Sequence, residues 1–303
     1  MAAQTRPVVL EEPDWRARRT AHQQRVAAWV EPYQRRRRDG VKHPVEDFLF
    51  TYYSYRPSRL LRWHPGAGVV LAGETAAEYL EYGEDYHRAP RGVALDIDGV
   101  LARRRDGVRH IHRLLVATAG RTPHLGCFGM HEWAMVYRLP ADQVRHAAWP
   151  LRLAPEQIAA TVDERGAACS HFDAYRFFTE PARALNVLAP TRERQAELEQ
   201  PGCLHANMDL YKWAYKVSPL VDSDLVGDCF ALARRIRELD MRASPYDLAD
   251  LDYPPVRVET APGRAEYAAA QRRFADQAAP LRHRLIDSCE RLLSPSAGLD
   301  EHA

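Results

Sequence analysis

Leu204-His205-Ala206-Asn207-Met208-Asp209-Leu210-Tyr211-Lys212-Trp213-Ala214-Tyr215-Lys216-Val217 reads as one helix. A second follows in Asp224-Leu225-Val226-Gly227-Asp228-Cys229-Phe230-Ala231-Leu232-Ala233-Arg234-Arg235-Ile236-Arg237-Glu238-Leu239-Asp240. In the second, apolar residues return at helical spacing and polar ones fall between them, so it predicts a strongly amphipathic helix. Two further long helices are expected at the ends of the chain. One spans 14–38 and is stopped by Asp39-Gly40. The other spans 264–293, with a kink or break at Pro280. Shorter helices are expected over 108–119, 130–139, 154–164 and 191–199. Strands are expected at 68–72, 151–153, 169–178 and 256–259, and 92–97 reads as a strand or the approach to a helix. The expected fold is mainly α with a few short β-strands (α+β), in a single compact domain over 13–294. Residues 1–12 and 295–303 are expected to be flexible tails.

Bulk properties agree with a globular chain. Its 303 residues are 46% hydrophobic and carry a formal net charge of +1. That is enough apolar surface for a substantial core. No apolar run approaches the ~20 residues needed to cross a bilayer, and the first residues contain no apolar signal core. The expected location is cytoplasmic, without a membrane partner. The five cysteines, Cys127, Cys169, Cys203, Cys229 and Cys289, form no C-x-x-C pair. Small buried thiols are therefore expected rather than a disulfide framework or a thiolate zinc site. Arginine is clustered, as in Arg35-Arg36-Arg37-Arg38 and Arg103-Arg104-Arg105. Such clusters can neutralise phosphate locally, although each also reads as a solvated helix face.

Three strings concentrate chemistry. In Gly126-Cys127-Phe128-Gly129-Met130-His131-Glu132-Trp133, a polar pair opens a helix. A carboxylate buried beside tryptophan would be a candidate acid or base; helix capping alone is the alternative. In Ser170-His171-Phe172-Asp173-Ala174-Tyr175-Arg176-Phe177-Phe178, read as a strand, His171, Asp173 and Tyr175 share one face and would suit an active-site wall. In the opening helix, His205 and Asp209 stand four residues apart. They can pair with each other or ligate a metal. His131, His171, Asp173, His205 and Asp209 together would suffice for one or two divalent ions, though their spacing follows no H-E-x-x-H pattern. Asp96-Ile97-Asp98-Gly99, after Val93-Ala94-Leu95, resembles the first motif of haloacid-dehalogenase-like phosphatases. However, arginines and a helical stretch follow it where alternating strands and helices would be required.

Longer strings carry a second resemblance. His43-Pro44-Val45-Glu46-Asp47-Phe48-Leu49-Phe50-Thr51-Tyr52-Tyr53-Ser54, Arg62-Trp63-His64-Pro65-Gly66, Gly126 through Arg138 and His171 through Thr179 resemble a family of actinobacterial proteins labelled 3-methyladenine DNA glycosylase. The likeness runs from about Trp15 into the C-terminal helix. It implies an N-glycosylase that releases alkylated purines from DNA, with DNA as partner and no cofactor. The chain has neither an L-P-G-x-G hairpin nor a four-cysteine loop, so roles are assigned by residue chemistry. Asp173 and Glu132 are the candidate carboxylates, with His131 and His171 beside them. Trp133, Tyr175, Tyr211 and Trp213 are the candidate stacking rings, and Arg56, Arg59 and Arg62 the candidate phosphate contacts. Two other functions compete: a metal-dependent hydrolase or oxygenase built on the His/Asp set, and a non-enzymatic nucleic-acid-binding protein. No protein partner is inferred.

Overall fold

A computed structural model describes residues 7–83, 85–140 and 148–294. In chain order the elements are β1 (Val8–Leu10), α1 (Glu12–Arg38), α2 (Phe48–Tyr52), α3 (Pro57–Leu60), β2 (Val69–Leu71), a 3-10 helix (Glu74–Tyr82), β3 (Tyr86–Ala89) and β4 (Gly92–Leu95). Then follow α4 (Ile97–Ala119), α5 (Met130–Ala134), α6 (Pro155–Arg165), α7 (Phe172–Tyr175), α8 (Glu180–Arg183), α9 (Gln195–Leu198), α10 (Leu204–Val217), α11 (Ser223–Arg242), a second 3-10 turn (Ala249–Leu251) and α12 (Ala261–Leu293). The fold is α+β, mainly helical, with one small mixed sheet.

The sheet order is β1-β2-β4-β3. β1 runs parallel to β2, with Val9 opposite Val70. β4 is antiparallel to both its neighbours, pairing Val93 with Leu71 and with Arg88. The indole Nε1 of Trp15 in α1 donates to the Ala72 carbonyl at 2.9 Å and ties the first long helix to the sheet. Beyond the sheet, α10 packs against α11 and α12, and α12 packs along α4. The apolar stripe of α11 supplies Leu225, Phe230, Ala233 and Ile236 to the core, as its periodicity requires. α10 is different. Of its residues only Lys212 and Lys216 escape full burial, so it is the central helix of the domain.

Several expectations are corrected. Residues 8–10 are not tail, because pairing with β2 satisfies their backbone groups. The strand expected over 169–178 is an extended entry followed by the short helix α7; His171 takes the last extended position before the helix turns. Leu151 makes only an isolated bridge to Tyr246, and 256–259 forms no strand. α12 runs unbroken through Pro280. The phosphatase-like string opens α4, where the Asp96 side chain accepts from the Gly99 amide at 3.0 Å. With its strand antiparallel to both neighbours, the parallel sheet that motif needs is absent here. The expected C-terminal tail, 295–303, lies outside the described residues. No helix among the described residues is long and apolar enough to cross a membrane.

His64 joins the sheet region to the start of α11. Its backbone N–H donates to Ser223 Oγ at 2.8 Å, and its ring Nδ1 meets the Tyr86 hydroxyl at 2.9 Å. Burial, aided by the Arg62 charge, lowers its pKa to about 4. Above pH ~6.5 the ring is neutral in both the folded and unfolded chains and contributes nothing to pH dependence. Between ~6.5 and about 4 only the unfolded chain takes up the proton, so stability falls as pH drops, by about 1.4 kcal/mol per pH unit at most. A His64→Phe variant should show a slope shallower by up to one proton across that window in denaturant unfolding. An unchanged slope would contradict the assignment.

Candidate functional site

Because α10 is buried except at Lys212 and Lys216, its other polar side chains must find partners inside the protein. Asn207 does so structurally. Its Nδ2 donates to the Pro201 carbonyl at 2.9 Å, and its Oδ1 accepts from buried Arg282 of α12. His205 and Asp209, one turn apart, instead meet residues from several other parts of the chain, and two groups result.

The first group is His131, His205 and Asp240. Phe128 and Gly129, with φ of 46° and 71°, turn the backbone into α5 so that His131 and Glu132 enter the interior. The turn at Gly129 is also tight. A Cβ there would lie 3.2 Å from the Tyr267 ring, in a backbone region that already disfavours side chains. His131 Nε2 lies 2.7 Å from Asp240 Oδ1, and its ring sits edge-on to that of His205 at 4.5 Å. The other Asp240 oxygen accepts from Arg237 Nη1 at 2.8 Å, and the same nitrogen donates to Glu132 Oε1 at 2.9 Å. Burial opposes charge on His131, but the Asp240 carboxylate outweighs it and raises the pKa. Burial and the neighbouring His131 push His205 well down, which leaves it a neutral imidazole.

The second group is His171, Glu199 and Asp209. Asn186 pins the approach to His171 by bonding both the amide and the carbonyl of Cys169, at 2.7 and 3.0 Å. Arg121 holds the Glu199 carbonyl at 2.9 Å, and Gln200 bonds back to the His124 and Gly202 amides, so the Glu199 turn is fixed. His171 is 1% exposed, and neither ring nitrogen has a hydrogen-bond partner. Its Nε2 stands 3.4 Å from Glu199 Oε1 and 3.4 Å from Asp209 Oδ2. Asp209 also accepts from the Tyr53 hydroxyl at 2.7 Å and from Lys212 at 3.0 Å. Burial works against a charged His171, but the Asp209 and Glu199 carboxylates raise its pKa. Burial raises the pKa of Glu199, against the pull of His171. Asp209 is held well below the ordinary carboxylate range: burial opposes this, but Lys212 and His171 prevail. The rings of His171 and His205 stack at 5.3 Å and join the two groups into one centre.

A cavity of about 200 Å³ lies beside this centre and meets it through His205, with Glu132, Asp173 and Arg237 also on its polar side. Phe48, Tyr52 and Phe177 form aromatic walls. Asp173 is ion-paired there with Lys212 at 3.0 Å and Arg176 at 3.2 Å, and Arg237 lies over the Phe48 ring at 3.9 Å.

The structure therefore brings together His131, Glu132, His171, Asp173, His205 and Asp209. It adds Glu199, Asp240, Arg237 and Tyr53, which sequence reasoning missed. Arg237 and Asp240 were detectable: both are charged and stand on the apolar face of α11. Nothing in the sequence around Glu199 marks it. The expected stacking rings lie elsewhere. Trp133 is fully buried and donates to the Ala243 carbonyl at 2.9 Å. Tyr211 is fully buried against Tyr53 and Phe230. Trp213 packs beneath Lys212, and Tyr175 against Phe178. Arg59 and Arg62 line a different cavity, and Arg56 precedes α3 at the surface. No protein-family model, curated protein or solved structure matches the chain.

Arg237 is the buried counter-charge of Glu132 and Asp240. Removing it strands two carboxylates away from water, so Arg237→Met should cost about 3–5 kcal/mol of stability. Chemical denaturation measures this directly, and a loss under ~1 kcal/mol, the range of a surface pair, would show that the network is not load-sharing in this way.

Proposed function

We propose that the chain is a metal-dependent hydrolase whose divalent ion is held by the buried histidine and carboxylate centre. The observation that carries this reading is His171, a fully enclosed imidazole whose nitrogens make no hydrogen bond and whose Nε2 stands 3.4 Å from each of two carboxylates. A hydrogen bond of ordinary strength would be shorter. Zinc bonds of ~2.0–2.1 Å in tetrahedral array put ligand atoms roughly 3.3–3.4 Å apart, and this spacing matches. The donor set is nitrogen and oxygen without thiolate, which suits zinc, manganese or iron. Five carboxylates, Glu132, Asp173, Glu199, Asp209 and Asp240, share the fixed cations Lys212, Arg176 and Arg237 with the His131 and His171 imidazoles.

When bound, a divalent ion would lower the pKa of a coordinated water to ~7. The remaining roles fall to side chains at the cavity. Glu132, which lines the cavity, takes the proton, and Arg237 fixes one of its oxygens. Neutral His205 links the cavity to the ligand groups behind it. Lys212 fixes the spacing of Asp173 and Asp209 by bonding both. Tyr53 holds the far oxygen of Asp209 and so orients its partner oxygen toward His171. Phe48, Tyr52 and Phe177 favour a substrate with a flat or apolar part.

A second reading, a metal-free N-glycosylase acting on alkylated purines in DNA, is favoured by one observation: Glu132 and Asp173 line the same aromatic-walled cavity. A stacked base with a carboxylate beside its sugar needs such a place. The two readings separate cleanly. Tag-free protein should retain or take up zinc or manganese in metal analysis, and His171→Ala or Glu199→Gln should abolish uptake. Added metal should raise the melting temperature of the wild type, as any ligand of the folded state does. A wild type that neither holds nor takes up metal would sink the first reading. Release of 3-methyladenine from methylated duplex DNA that survives chelator and is lost in Asp173→Asn would establish the second.

A further inference from the structure

A second cavity, about 390 Å³, lies beside the last turn of α10. It uses none of the histidine and carboxylate ligands. Its walls gather Arg59 and Arg62 from the α3 region, Arg104 from α4 and Lys216 from α10. None of these four has a carboxylate partner among the described residues. The one acid in the wall among the described residues, Asp85, is already bonded to Arg103 at 2.6 Å. Three of the four cations are held by contacts that leave their charge uncancelled. Arg104 donates to the Ser218 carbonyl at 2.7 Å, Arg62 lies over the Tyr82 ring at 4.7 Å, and Lys216 lies over Trp213 at 5.6 Å. Rings supply the rest of the surface: Tyr55 and Tyr215 stack at 4.7 Å with planes 14° apart, and Tyr55 lines the cavity.

Four like charges around one concavity repel one another, and an anion in the cavity relieves that repulsion. Guanidinium groups bind phosphate through paired N–H donors, and a lysine adds a point charge. The tyrosine faces suit the organic part of the ligand. We propose that this cavity binds the phosphate group of a nucleotide-type phosphate ester, with Arg59, Arg62, Arg104 and Lys216 as its cationic contacts. The inference is independent of the metal reading, because its residues and its test do not involve the metal ligands.

The test is calorimetric titration of the full chain at low ionic strength with inorganic phosphate, adenosine monophosphate and a ten-residue oligothymidylate. Adenosine monophosphate should bind once per chain and weaken steeply with salt. Arg59→Gln and Lys216→Gln should each weaken it about tenfold, the scale of one charged hydrogen bond. Neither side chain makes an internal hydrogen bond, so both variants should melt like the wild type. Arg56→Gln, outside the cavity, should bind normally. Tighter binding of the oligonucleotide than of the mononucleotide would identify a nucleic-acid strand as the source of the phosphate; equal affinity would identify a free nucleotide. No binding of the mononucleotide at millimolar concentration, binding of inorganic phosphate alone, or variants that bind like the wild type would each overturn the proposal.

Discussion

The burial of α10 on every side governs the rest of the structure. A helix that carries His205, Asn207, Asp209 and Lys212 through the middle of a domain brings polar groups where water cannot satisfy them. Each is answered by another part of the chain: Arg282 from α12 for Asn207, Tyr53 for Asp209, Asp173 for Lys212, and the His131 and His171 rings for His205. Apart from α12, the segments that supply these answers are short, and side-chain-to-backbone bonds pin the approach to α7 and the Glu199 turn. Arg121, Asn186 and Gln200 each bond the backbone on the approach to the centre.

The two residues of α10 that are not fully buried divide the surface between two electrostatic environments. Lys212 faces an excess of carboxylates and bridges Asp173 and Asp209. Lys216, one turn on, joins Arg59, Arg62 and Arg104 around a cavity where cations go unanswered. Burial and the nearby charge of Lys212 lower the pKa of Lys216, whereas the Asp209 and Asp173 carboxylates raise that of Lys212 against the effect of burial. One helix thus borders a centre suited to a cation and a cavity suited to an anion. A net charge of +1 for the whole chain hides both.

Much of this was legible residue by residue. Helical periodicity located α10 and α11 within a residue or two. Residue chemistry singled out His131, Glu132, His171, Asp173, His205 and Asp209, all of which converge. The stretch 169–178 misled because alternation of aromatic and polar residues mimics a strand. In the fold those residues turn into α7, since His171 points inward to the carboxylates while Asp173 bonds Lys212 at the cavity. The aromatic count misled in a different way. Tryptophan and tyrosine look alike as stacking surfaces and as core, and only burial separates Trp133 and Tyr211 from Phe48, Tyr52 and Phe177.

By itself, then, the amino-acid sequence determined the helical class, the places where long helices run and the identity of the unusual polar residues. These depend on local spacing and side-chain chemistry, which the chain carries wherever it goes. Tertiary structure alone decided how those residues are grouped: Asp240 with His131, Glu199 with His171, and Arg59 and Arg62 away from the centre altogether. The reason is physical. A carboxylate 109 residues from its histidine in sequence comes to 2.7 Å only through the packing of whole helices, and no local pattern encodes that distance.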